Sequence, residues 1–234
     1  MIAHKTIFVK GAIMMAGFFV ILFLMFMPLF GNGHHAINAM DNLYNSISKG
    51  STSGYIPKLM KDSAKYKENN IKLDIKLKTK EMAADTMLLL TTAGAKVTQD
   101  DVKLSIEGNL DAILQSCLAD SKLMFDNDGK TLKAKYKYDE KYNEQTILFN
   151  WWNALKGTNK ALTKQERFVE AKFVGTVMTK AVECSYNYYK VQSENIKDKV
   201  GIVIFSLIFY VVYTVWYGFG LMYMFEGWGM QLSH

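Results

Sequence analysis

The chain has 234 residues, 50% hydrophobic and 21% charged, with a formal net charge of +6. These proportions exclude an acidic disordered tail and a collagen, and 2 cysteines are too few for a small disulfide scaffold. The charge is segregated: residues 11–30 carry none, residues 200–234 carry only Glu226, and 26 of the 28 basic and 21 of the 22 acidic residues lie between those runs.

Lys5 and Lys10 stand in a short basic tail, 1–10, before the apolar run 11–30, GAIMMAGFFVILFLMFMPLF. At 1.5 Å per residue a helix of 20 residues reaches about 30 Å, the hydrocarbon thickness of a bilayer. A secretory signal peptide has the same polarity, but its apolar region is about 7–15 residues long. The longer run predicts a retained signal-anchor, transmembrane helix 1. His34 and His35 follow it, and with a Met-rich surround they are weak candidates for a copper site. Adjacent histidines in an extended chain point to opposite sides, and methionine is a common filler of apolar interiors, so no metal and no cofactor is expected. Ile37, Met40, Leu43, Tyr44 and Ile47 recur at helical spacing and predict an amphipathic helix ending near the loop 50–54.

From Ile71 onward, period 2 alternates with period 3.6. Three strands are expected, Ile71–Lys78, Val102–Glu107 and Leu132–Tyr138, each followed by a helix, at 80–93, 110–125 and about 142–156. Asn109 is placed to cap the second helix, whose apolar face runs through Leu110, Ile113, Leu114, Cys117, Leu118, Met124 and Phe125. Gly94 suits a helix C-terminus, and Asn127-Asp128-Gly129 a turn. Each strand has one apolar and one polar face, which predicts a one-sided sheet covered by helices. Its polar face would carry Lys72, Lys76, Lys103, Lys133 and Lys135, either as a solvated surface with edge lysines or as a basic docking face for an acidic partner or anionic headgroups. Cys117 and Cys184 would share an oxidising compartment and form a possible disulfide, although Cys117 sits on an apolar helix face as a small hydrophobe does. Trp151 and Trp152, with Tyr136, Tyr138 and Phe149, could stack on a ligand or fill the core.

Thr163-Lys164-Gln165-Glu166 has the form of a capping box and predicts a helix running unbroken through Lys199 into the second span. Along it Phe168, Val174, Met178, Val182 and Tyr189 would face the domain.

The second span is expected at 200–223, with residues 224–234 as an interfacial or cytoplasmic tail. Lys197 and Lys199 mark one end, while Tyr223, Glu226 and Trp228 suit the opposite interface. Lys5 and Lys10 place the N-terminus in the cytoplasm, two spans return the C-terminus there, and residues 31–199 become one extracytoplasmic domain of the cell membrane. Tails as short as 1–10 and 224–234 leave no room for a cytoplasmic signalling or catalytic domain. Gly218 and Gly220, with Trp216 and Trp228, form a candidate partner interface, since small residues let helices approach closely in lipid. Glu226, the lone acid of this region, is a candidate for an ion pathway. No G-x-S-x-G, phosphate-binding glycine loop or H-E-x-x-H is present.

The expectation is a two-span α+β membrane protein, not an enzyme. It would serve as a subunit or scaffold whose partners are other membrane protein subunits, copies of itself and the lipid bilayer, with no nucleic acid. A homo-oligomeric channel or transporter element, and an extracytoplasmic ligand- or lipid-binding protein, are the alternatives.

Overall fold

The computed structural model describes residues 2–30, 33–137 and 143–230. They divide into two compact units, one made of residues 1–50 and 193–234 and the other of residues 51–192. The architecture is helical with a small three-stranded antiparallel sheet, and two helices are long and apolar enough to cross a membrane.

In the 51–192 unit the sheet is built from β1 (Asn70–Lys76), β2 (Lys96–Asp100) and β3 (Lys103–Asn109) in the order β1-β3-β2. Strict alternation sends Ile71, Leu73, Ile75, Leu104 and Ile106 into the core while the intervening residues of β1 and β3 stay exposed. The register matches apolar with apolar, Leu73 opposite Ile106 and Ile75 opposite Leu104. The polar face is thus open and the apolar face covered, as the alternation implies. The outer edge of β1 is shielded: the Gln165 side chain donates to Lys72 O at 2.8 Å and Arg167 Nη1 donates to Asn70 O at 3.0 Å, which withdraws those carbonyls from pairing with another chain.

β2 is a strand the alternation did not identify. It enters through a two-residue hairpin, with Asp101 in the left-handed region at φ 52° and Asp100 paired with Lys103. The expected strand at Leu132–Tyr138 is overturned: residues 132–136 belong to helix α6 (Gly129–Tyr136), started by Asp128, whose side chain accepts from Thr131 N at 3.2 Å, and Lys137 ends it in the left-handed region. Leu132 and Tyr136 are buried and Ala134 is exposed, so the segment follows an i, i+4 spacing. Lys133 and Lys135 consequently leave the sheet's lysine face. Tyr138 lies outside the described residues.

Around the sheet stand α3 (Tyr55–Ser63), α4 (Lys80–Thr92), α5 (Leu110–Phe125), α7 (Gln145–Lys164) and α8 (Phe168–Val177). α5 begins where Asn109 Oδ1 accepts from Ala112 N at 3.1 Å, and it buries the apolar stripe read from the sequence. α7 crosses β1 at Gly157, where a Cβ would come within 2.9 Å of Ile75, so only glycine permits the approach.

The capping box at 163–166 is also overturned. Thr163 is still inside α7, donating its hydroxyl to Asn159 O at 2.8 Å, and Glu166 turns the chain at φ 60° before α8. After α8 come a π-helical segment (Met178–Glu183) and α9 (Cys184–Asn187). The helix then ends. Lys190 takes φ 65°, Asn127 Oδ1 accepts from Lys190 N at 2.7 Å, and Asn127 Nδ2 donates to Val191 O at 3.0 Å. This clasp diverts the chain, so the expected continuous helix from residue 163 into the second span is interrupted at 188–195.

In the other unit, α1 (Lys5–Met25) and α10 (Ile196–Trp228) are accompanied by α2 (Ala36–Thr52), which reaches from this unit to the first residues of the other. α1 starts and stops earlier than the expected span 11–30. Pro28 disfavours helical geometry at Met27, so the last apolar residues are not helical. α10 restarts at the Asn195 cap, whose side chain accepts from Lys197 N at 3.0 Å, and continues past residue 223 until Gly229 takes φ 90°.

Candidate functional site

α1 and α10 form an antiparallel hairpin whose fit comes from glycines facing large groups. At Gly11 a Cβ would lie 2.6 Å from Met224 N and 2.9 Å from Gly220 O; at Gly220 it would lie 2.8 Å from Met15 Sδ; at Gly227 it would meet the Phe8 backbone. At Gly17 a Cβ would lie 3.0 Å from the Trp216 ring. Two side chains of α10 also bond to backbone carbonyls of α1: Trp216 Nε1 donates to Met14 O at 3.0 Å and Tyr213 OH to Phe18 O at 2.9 Å. The Tyr213 ring stacks on Phe18 with centroids 4.3 Å apart. Lys10 Nζ lies 4.3 Å from the Tyr223 ring centroid, a cation–π contact that keeps the charge beside an aromatic at this end of the hairpin.

These contacts redistribute the residues expected to bind a partner. Trp216 and Gly220 are engaged by the chain's own α1. Trp228 meets Phe8 edge-on at 6.4 Å and stays 55% exposed, while Gly218 faces open space. Glu226 is exposed in the last turn of α10. The signal in the sequence for this pairing was the second glycine set, Gly11 and Gly17, which complements the aromatic and methionine positions of α10.

Where α1 stops, α2 lies beside α10. Together they enclose a groove of about 520 Å³ lined by Leu24, Met25, Ala39, Met40, Phe209 and Tyr210 among others. Among its polar side-chain atoms, Tyr44 OH and Ser206 Oγ are 2.6 Å apart, and Ser206 Oγ donates onward to Val203 O at 2.8 Å. His34 O accepts from Phe30 N at 3.0 Å, and among the described residues His35 Nδ1 has no hydrogen-bond partner. Among the described residues no three or more His, Cys, Asp or Glu side chains come together as a metal site.

The 51–192 unit holds a charged group in its core that the sequence reading passed over. Asp120, wholly buried on α5, accepts from Trp151 Nε1 at 2.8 Å and from the Tyr136 hydroxyl, and pairs with Lys135 Nζ at 2.6 Å. Burial, and then the Asp120 charge, push the Tyr136 phenol far above its ordinary value, so it stays a donor. Burial, followed by the same carboxylate, raises the Cys117 thiol, which is therefore neutral and unreactive. Cys117 and Cys184 are both free thiols although α5 and α9 pack together, and burial followed by Glu183 pushes the Cys184 thiol up as well. The expected aromatic patch is split. Trp151 and Tyr136 belong to the core, whereas Trp152 and Phe149 line a cleft of about 320 Å³, with Trp152 Nε1 donating to Glu183 at 2.7 Å.

On the sheet's open face Lys72 pairs with Glu107 at 3.5 Å. Lys76 and Lys103 border a cleft of about 480 Å³ shared with Lys160, Lys164, Asp74 and Asp100. The acids interleave with the lysines, so this face is mixed in charge rather than uniformly basic.

No protein-family model, curated protein or solved structure matches the chain.

Proposed function

We propose that the chain is a non-enzymatic subunit or scaffold of a larger membrane assembly, inserted through α1 and α10, with both termini cytoplasmic and residues from about 31 to 199 extracytoplasmic. The observation that carries this reading is the outward face of the hairpin. Having packed their glycine-bearing faces against each other, α1 and α10 present Phe19, Phe23, Phe205, Ile208, Tyr210 and Val211, each more than half exposed. An apolar surface of that extent is unfavourable in water and suits lipid or partner helices. The open notch at Gly218 lies on α10 where the chain's own first helix does not reach, and a neighbouring helix could approach there. Lys5 and Lys10 at the start of α1 favour a cytoplasmic N-terminus. The reactive groups of the 51–192 unit support a structural role, since Asp120 is spent on three donors and the Cys117 thiol is held neutral.

The test is the mass of the full chain purified in mild detergent. A protein mass greater than one 26.7 kDa chain is expected after the bound detergent is subtracted. Gly218→Leu should release the partner while leaving the fold of residues 51–192 intact, because that unit has its own core. Whole multiples of 26.7 kDa would identify the partners as copies of this chain. A strictly monomeric protein, unaltered by Gly218→Leu, would refute the proposal.

A further inference from the structure

We infer that the groove between α1, α2 and α10 is a lateral binding site for one acyl chain of a membrane phospholipid. This rests on the membrane reading above and adds a ligand to it. The groove exists because the two apolar helices differ in length. α1 stops at Met25 after 21 residues, whereas α10 has 33, and α2, which reaches α10 through Tyr44 and Ser206, leaves a wedge open beside the end of α1. The resulting space of about 520 Å³ falls within the roughly 300–1,000 Å³ of ligand pockets.

Depth and chemistry select the occupant. Phe205 and Tyr213 lie six and fourteen residues after Lys199, so at 1.5 Å per residue the groove runs from about 9 to about 21 Å below that charge. In the proposed topology this is acyl-chain depth, below the headgroups. The surface that lines the groove is almost wholly apolar, and the Tyr213 hydroxyl is spent on Phe18 O. The Tyr44 hydroxyl is spent on Ser206, and the Ser206 hydroxyl donates to Val203 O. A peptide entering here would bury backbone donors and acceptors without partners, at several kcal/mol for each group. A methylene chain has none to lose, and an apolar cavity of this kind stays dry until an apolar ligand fills it.

The experiment uses the full chain in vesicles of phosphatidylcholine doped with phosphatidylcholine bearing a photoreactive diazirine midway along one acyl chain. After illumination the labelled residues are mapped by mass spectrometry, with Val211 and Val212 on the open face of α10 as the reference for random lipid contact. Labelling concentrated on Leu24, Met25, Met40 and Phe209 is expected. Ala39→Phe, which fills the groove, should lower it severalfold without changing the reference. Tyr44→Phe should leave it unchanged, because the occupant needs no polar contact. Labelling of the groove no stronger than the reference, insensitivity to Ala39→Phe, loss on Tyr44→Phe, or photocrosslinks joining two protein copies through the groove would each overturn the inference. Flotation of the same vesicles separates the two failures: a chain that floats but shows no groove labelling defeats only the acyl-chain site, and a chain that does not float defeats the membrane reading with it.

Discussion

Replacing Asp120 by alanine removes the acceptor from three donors at once, and the structure indicates which of them can recover. The Lys135 side chain is 32% exposed and can turn its ammonium to water. Trp151, 0% exposed, cannot reach solvent, so Asp120→Ala strands its indole N–H in the core, while the Tyr136 phenol loses its charged acceptor and keeps its contact with Ser116. At about 1–3 kcal/mol for the stranded indole and about 1.5–3 kcal/mol for the lost phenol–carboxylate bond, the loss comes to about 2.5–6 kcal/mol, which brackets the roughly 3–5 kcal/mol seen when one side of a buried charged pair is removed. For a chain of this size that lowers the melting temperature by on the order of 10 °C. Asp120→Asn keeps one acceptor oxygen and should fall between the parent and the alanine variant. Trp151→Phe loses one hydrogen bond to a charged group and should cost about 1.5–3 kcal/mol before any packing loss. Thermal unfolding in detergent, followed by near-ultraviolet circular dichroism, measures all of these. Co-melting of Asp120→Ala with the parent would show that the carboxylate is not held as described.

Four further outcomes follow from other parts of the molecule. Ile106 is 2% exposed and Lys103 projects from the open face, so Ile106→Asp should cost several kcal/mol and Lys103→Glu within about 0.5 kcal/mol; equal losses in chemical denaturation would refute the one-sided sheet. Gly220→Leu should open the α1–α10 hairpin, because a Cβ there already meets Met15, and cysteine pairs placed across the hairpin should then crosslink poorly, whereas Gly218→Leu should leave that crosslinking intact. Burial raises the Glu170 carboxyl, but Arg167, bonded at 2.8 and 2.9 Å, and Asn69 outweigh it and hold the group below its ordinary value of 4.5. The unfolded chain therefore takes up this proton at higher pH than the folded one; the contribution is present above 4.5 and lost as pH falls through the lower folded value, so Glu170→Gln should show a shallower acid limb in stability measured against pH. For topology, a cysteine probe at Ser51 should react with a membrane-impermeant reagent on intact cells while one at Ile2 stays protected; the reverse pattern would invert the proposed orientation.

Local pattern determined much of this protein. Charge-free runs identified the two apolar helices, because length and apolarity alone qualify a helix to cross a bilayer. Alternation in Ile71–Ile75 and Leu104–Ile106 identified the buried face of the sheet, and α5 was legible to the residue because its cap and its stripe agree. Tertiary structure decided the rest. Leu132, Ala134 and Tyr136 satisfy period 2 and, through Leu132 and Tyr136, the i, i+4 spacing equally well, and the choice fell to the Asp128 cap and the Asp120 partner waiting for Tyr136. β2 has too few apolar residues to announce itself and exists through pairing with β3. The unbroken helix expected through residue 199 ends because Asn127, more than sixty residues earlier, bonds the backbone at Lys190 and Val191. The same holds for the candidate interface. Gly218 and Gly220 are two residues apart and look alike in sequence, but α1 covers one and leaves the other open, since helix faces 200° apart meet different neighbours. A residue's own periodicity states which side is apolar; only the packed chain supplies what stands opposite.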